Sequence, residues 1–149
     1  MKRYLLDTHI VLCGLTAPRK LGRATRDILE HEAVHVSALS IWELLLKHHH
    51  GKLDLPPGSL IGAIERAGAK LLALTPEHAE TAAALGLMHG DPVDRLLIGT
   101  ARAERMVLLT RDAVILEFAL PVLGELLMEA RTTCAPAAGR CTCRAPPRQ

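Results

Sequence analysis

The sequence predicts an α/β fold on a parallel sheet, and three observations carry that expectation. Short apolar runs alternate with stretches of helical periodicity along most of the chain. The clearest run, Met106-Val107-Leu108-Leu109-Thr110, is apolar almost throughout, as parallel strands covered on both faces are. Acidic residues also recur where strands end or helices begin: Asp7, Glu43, Asp94 and Asp112. In open α/β sheets, ligand chemistry gathers beyond the carboxyl ends of the strands.

In chain order, residues 2–6 form the first strand and leave Asp7 at its tip, with Ile10-Val11-Leu12 entering a helix. After Pro18, the residues Leu21, Ala24, Ile28 and Leu29 recur at helical spacing. Arg19, Lys20, Arg23 and Arg26 lie opposite them, giving an amphipathic helix with a basic side. Residues 33–37 read as the second strand. Ser40-Ile41-Trp42-Glu43 then starts a helix that runs past Lys47 and stops near Gly51, and the same four residues fit a capping box in which Glu43 reaches back to the Ser40 N–H. Pro56-Pro57 marks a turn, 60–67 a helix and 70–74 the third strand. Thr75-Pro76-Glu77 opens a capped helix reaching about Met88.

The central helix opens with Asp91-Pro92-Val93-Asp94-Arg95. Asp91 suits the N-cap, Pro92 at the first helical position loses no needed N–H, and Asp94 falls in the first turn, where a carboxylate complements the helix dipole. This helix ends near Arg105. The strand at 106–110 follows and delivers Asp112, which could cap a short helix at 113–118. A run at 120–123 suggests a fifth strand.

At 149 residues and 49% hydrophobic content the chain suits one domain with a sizeable core. We assign that domain to residues 1–123 and an atypical extension to 124–149. Residues 132–149, rich in Ala, Pro, Arg and Cys, are expected to be disordered. The net charge is +2, but this tail holds Arg140, Arg144 and Arg148 with no acid, so the body sits near −1. Global charge therefore does not announce a nucleic-acid binder. No apolar run nears the ~20 residues of a membrane span, and the N-terminus meets Asp7 too early for a signal peptide. Cys13, the one cysteine of the body, fits a reducing compartment, so a cytoplasmic protein is expected.

Four acids from four segments, gathered at one sheet edge, would repel one another and raise their own pKa values unless a cation neutralised them. Oxygen-only ligands suit Mg²⁺ or Mn²⁺, and such ions promote phosphodiester hydrolysis. On this reading Asp7 and Asp94 are the main ligands, and Glu43 and Asp112 complete the site partly through water. Thr8 or Thr110 orients a carboxylate from behind.

Four segments carry a resemblance to the PIN-domain nucleases, and closely to the VapC-type toxins of toxin–antitoxin pairs. They are Tyr4-Leu5-Leu6-Asp7-Thr8-His9, Ser37-Ala38-Leu39-Ser40-Ile41-Trp42-Glu43, His89-Gly90-Asp91-Pro92-Val93-Asp94-Arg95-Leu96-Leu97-Ile98 and Leu108-Leu109-Thr110-Arg111-Asp112. The resemblance implies an α/β/α sandwich around a parallel sheet of four to five strands and an acidic quartet at Asp7, Glu43, Asp94 and Asp112. It further implies Mg²⁺ or Mn²⁺ dependence and endonucleolytic cleavage of RNA. A homodimer inhibited by a VapB-like antitoxin, one segment of which enters the active-site groove, completes the expectation. Where relatives carry aromatics, this chain has Val93 and Leu12-Cys13-Gly14-Leu15, and the likeness stops near residue 123.

Other readings are weaker. A dehalogenase-like phosphatase would need a second acid two residues after Asp7, where His9 stands, and a dinucleotide site would need glycines in Asp7-Thr8-His9-Ile10. The main rival is a non-catalytic binding module that keeps the fold. His48-His49-His50 points in three directions on a helix and suits a C-terminal turn better than a metal, while Cys134, Cys141 and Cys143 lack zinc-site spacing. The basic residues from Arg19 to Arg26 read as a solvated face that could also meet an RNA backbone. Tyr4, Trp42 and Phe118 all stand in core-like contexts, which argues against base stacking.

Overall fold

In the computed structural model, residues 2–86, 91–112 and 115 are described. Four strands, β1 (Arg3–Leu6), β2 (Ala33–Ser37), β3 (Lys70–Leu72) and β4 (Val107–Leu109), form one sheet in the order β3-β2-β1-β4. Every pairing is parallel. Leu5 faces His35 on one side and Leu108 on the other, and Leu6 faces Leu109. The intervening helices are α1 (Thr8–Thr16), α2 (Arg23–His31), α3 (Ala38–His49), α4 (Leu60–Arg66), α5 (Pro76–Ala84) and α6 (Pro92–Ala103), with a 3₁₀ turn at Pro18–Lys20.

The alternation of β1 divides the core in two. Successive side chains of a strand point to opposite faces, so Tyr4 and Leu6 join Ile10, Ile28, Leu44 and Ile64 beneath α1 to α4. Leu5 points the other way, toward Leu85, Leu97, Ala101 and Ile115 on the α5 and α6 side. Helices therefore cover both faces of the sheet. This is the expected α/β/α arrangement, and it explains why β1 and β4 are apolar on both faces.

Several local expectations shift. The helix after β2 starts at Ala38, with Ser37 as N-cap accepting from the Leu39 N–H at 3.2 Å. Ser40 is therefore inside the helix and buried, its hydroxyl without a described partner, so the capping box expected between Ser40 and Glu43 does not form. A capping box does form one helix further on, where the Thr75 hydroxyl accepts from the His78 N–H at 3.4 Å and His78 Nδ1 accepts from the Thr75 N–H at 3.1 Å. With Nδ1 accepting, Nε2 carries the proton that His78 donates to Glu104 at 3.2 Å. Strand β3 ends at Leu72, and α5 ends at Ala84. Arg19 and Lys20 lie in the 3₁₀ turn, apart from α2, while Arg26 turns back to donate to the Leu21 carbonyl. Of the helix expected at 113–118 only Ile115 is described, and the strand at 120–123, the extension at 124–149 and Phe118 lie outside the described residues.

The pairing of α5 with α6 fixes where the central helix begins. Arg95 donates to the carbonyls of Ala82, Leu85 and Gly86, with the Leu85 contact at 2.7 Å, and so satisfies the orphan carbonyls at the end of α5. One turn along, Gly99 lets the helices touch, since a Cβ there would lie 2.6 Å from the Ala82 Cβ and 2.7 Å from its Cα and N. Arg105, in the left-handed region at φ 51°, then turns the chain, and the Met106 N–H donates to Ala101 at 2.8 Å. The sub-van-der-Waals contact is with backbone, which cannot rotate away. Gly99→Ala is therefore expected to cost about 1–3 kcal/mol, read as a lower urea midpoint with an unchanged m-value.

Candidate active site

Asp7 leaves β1 at the carboxyl edge of the sheet, and its backbone N–H donates to the Leu109 carbonyl at 3.0 Å, which extends the β1–β4 ladder by one residue. It stands at the N-cap position of α1 but makes no side-chain capping bond. Its Oδ2 instead accepts from the Thr110 hydroxyl at 2.6 Å. Thr110 is fully buried, and its hydroxyl oxygen in turn accepts from the Asp112 N–H at 3.0 Å. One hydroxyl thus ties Asp7 to the turn that carries Asp112.

The next residue repeats the device on the other side. Thr8, buried at the start of α1, donates its hydroxyl to Glu43 Oε2 at 2.6 Å, and Lys47 one turn along α3 meets Glu43 Oε1 at 2.5 Å. Asp91 caps α6 by accepting from the Val93 N–H at 2.8 Å, the structural role expected of it. Asp94 lies in the first turn of that helix, partly buried.

The electrostatics show that these acids share one region. Burial pushes the Asp7 carboxyl up to about 6, the Thr110 hydrogen bond pulls it down, and the charges of Glu43 and Asp112 push it further up. Asp94 is also raised to about 6, first by burial and then by Asp91, Asp7, Asp112 and Glu43. Asp7 and Asp94 are thus raised by neighbouring acids as well as by burial. A divalent cation would relieve that repulsion.

Among the described residues, no three Asp, Glu, His or Cys side chains form a ready-made metal group. The donor chemistry nevertheless fits a hard cation. All four side chains offer oxygen, and ions such as Mg²⁺ are commonly held by one or two carboxylates with water filling the other positions.

Two features of this edge were missed in the sequence. Trp42 is 54% exposed, contrary to its expected core position, and Leu45, Leu46 and, on α4, Ile61 are exposed with it. Spacing alone could have revealed the first three, since positions 42, 45 and 46 share one helix face. Arg111, between Thr110 and Asp112, attracted no reading beyond its place in a motif.

The raised carboxyls fix a pH dependence. An unfolded Asp titrates near 3.8 and folded Asp7 near 6, so the destabilisation from burying its charge is absent below pH 4 and grows as the pH rises to about 6. A difference of this size corresponds to roughly 3 kcal/mol. In EDTA, Asp7→Asn should therefore gain stability over the wild type across pH 4 to 6 and keep that gain at pH 7, measured by urea denaturation. Added Mg²⁺ or Mn²⁺ should then stabilise the wild type more than the variant.

The described geometry matches known proteins. A family model for the PIN domain matches residues 4–120. No curated protein sequence matches the chain. Among solved structures, VapBC2 from Rickettsia felis bound to a DNA fragment from its promoter matches 81% of this chain and 95% of its own, at 15% identity and TM-score 0.58. A toxin–antitoxin complex from Klebsiella pneumoniae matches 83% and 97%, at 18% identity and TM-score 0.56. FitAcB from Neisseria gonorrhoeae matches 78% and 92%, at 21% identity and TM-score 0.55. At these identities the likeness concerns the fold.

Proposed function

Since the chain belongs to the PIN-domain family, we propose that it is a metal-dependent endoribonuclease that acts as the VapC-type toxin of a toxin–antitoxin pair. The observation that carries the reading is the shared field of Asp7, Glu43, Asp94 and Asp112, four acids from four segments, two of them held near pKa 6. The toxin–antitoxin complexes that share the fold support the biological role.

In this proposal Asp7 and Asp94 hold Mg²⁺ or Mn²⁺, and Glu43 and Asp112 complete the site partly through water. A bound ion would supply Lewis acidity, lowering the pKa of a water and neutralising charge on the phosphoryl oxygens. The chain's own residues do the positioning. Thr110 fixes the rotamer of Asp7 and braces the Asp112 backbone, and Thr8 with Lys47 holds Glu43 from both of its oxygens. Such supporting contacts keep the acids where repulsion alone would splay them.

Two surfaces support the partners. Trp42, Leu45 and Leu46 give α3 an exposed apolar stripe suited to a second copy of the chain, as the expected homodimer requires. A cavity of about 210 Å³ lies among α1, α2, α4 and the sheet, lined by Leu6, Ile10, Leu15, Leu29 and Val36, with Arg26 and Glu30 beside them. It would accept an apolar side chain of the VapB-like antitoxin. Among the described residues, no helix is long and apolar enough to cross a membrane.

The deciding experiment is cleavage of a mixed pool of structured RNAs by purified protein with Mg²⁺ or Mn²⁺. Cutting should stop with EDTA and in Asp94→Asn and Asp7→Asn. Thr110→Val should lose about 10- to 100-fold, more at limiting metal. If folded, antitoxin-free protein cuts nothing, the binding-module reading takes its place. For assembly, Leu45→Glu should convert a dimer to a monomer in sedimentation, with circular dichroism unchanged.

A further inference from the structure

Glu43 is held by a cation of its own chain. Its Oε1 accepts from the Lys47 ammonium at 2.5 Å and its Oε2 from the Thr8 hydroxyl at 2.6 Å, so both oxygens are engaged. A Glu–Lys pair four residues apart on a helix is commonplace, and on an open surface it contributes little, because both side chains sway and water screens them. This pair is built differently. The Glu43 side chain is only 18% exposed, and Thr8, which fastens it, is buried next to Asp7 at the start of α1. The carboxylate is fixed, and the ammonium therefore rests on a stationary acceptor. Lys47 itself is 46% exposed along its side chain, so it reaches that acceptor from the solvent-facing rim of the acids.

Position and charge together let Lys47 do the work of an ion. Clustered carboxylates that cut phosphodiesters are often served by two divalent cations about 4 Å apart. A second ion beside Glu43 would have to take Oε1 from the ammonium, breaking the ion pair and then lying against the lysine it displaced. Asp7 and Asp94 present no such obstacle, since among the described residues neither makes an ion pair.

We infer that Lys47 stands in for a second divalent ion: the site takes one ion, at Asp7 and Asp94, and the ammonium held on Glu43 supplies the other positive charge to the RNA phosphate. The inference rests on the ribonuclease reading and fixes the number of ions that reading needs. Glu43 then meets the single ion only through water.

The count of bound ions tests it. Mn²⁺ is titrated into the full chain and the signal of unbound Mn²⁺ is followed by electron paramagnetic resonance, in about 0.5 M KCl, where the general field of a surface lysine is screened beyond roughly 4 Å. The wild type should bind one Mn²⁺ per chain, and Asp94→Asn should bind it at least tenfold more weakly. Lys47→Met keeps a good helix former and removes the charge, and it should bind two. Lys47→Gln should do the same, whereas Lys47→Arg should stay at one. Adding Glu43→Gln to Lys47→Met should return the count to one, because the second ion needs the vacated carboxylate. The urea midpoints of the Lys47 variants should stay near the wild type, as expected for a half-exposed helix pair. A wild-type count other than one, or a count of one in folded Lys47→Met or Lys47→Gln, overturns the inference. If the wild type binds two ions and cuts RNA, this inference alone fails. If it binds none and cuts none, the ribonuclease reading fails with it.

Discussion

The site depends on one buried hydroxyl. Thr110 follows the last hydrogen-bonded residue of β4, and through its side-chain oxygen it donates to Asp7 and accepts from the Asp112 N–H. Without that oxygen, Asp7 would face the full repulsion of Glu43 and Asp112 in a space that water barely enters, and its rotamer would be set by avoidance. With it, the carboxyl at the tip of the inner strand β1 is anchored to the neighbouring strand β4. The hydrogen bond only partly offsets the destabilisation. A carboxyl still raised to about 6 means the fold tolerates a destabilising charge at this edge, a pattern characteristic of functional sites.

Asp94 is placed by other means. It is carried by α6, whose position follows from how closely that helix approaches α5. Gly99 sets the distance by having no Cβ, and Arg95 sets the rotation by reaching the carbonyl end of α5 with both terminal guanidinium nitrogens. The contact between buried His78 and the more exposed Glu104 fastens the opposite ends of the two helices. Asp94 is thus held by helix packing, and Asp7 by a side-chain hydrogen bond on a strand tip. Rigid elements on both sides keep like charges close without a covalent link.

Much of this was legible in the sequence because it depends on local pattern. Continuous apolar runs gave the strands, and the Asp91-Pro92 start gave α6, its cap and the first-turn position of Asp94. Errors arose where tertiary contacts decide between equal local options. Ser37 and Ser40 are both good caps, and the choice fell to Ser37 because the chain turns into the helix directly from β2. Glu43 then had its partner supplied by Thr8, 35 residues away, beyond the reach of a capping pattern. Trp42 looked like core because large apolar residues usually are, yet the sheet lies on the other side of α3 beneath Leu44. That the Arg111 terminal nitrogens lack a partner among the described residues was illegible, since partners of a single side chain emerge only in three dimensions.

The exposure of Trp42 also makes the chain its own optical gauge. It is the only tryptophan among 149 residues and stands one position from Glu43 on the uncovered side of α3. An indole already in water changes its emission little when the chain unfolds, so fluorescence is a poor measure of folding here. It is correspondingly clean for association. A shift of emission to shorter wavelength reports that something has covered α3 and dried it, with no label attached and no second indole to blur the signal.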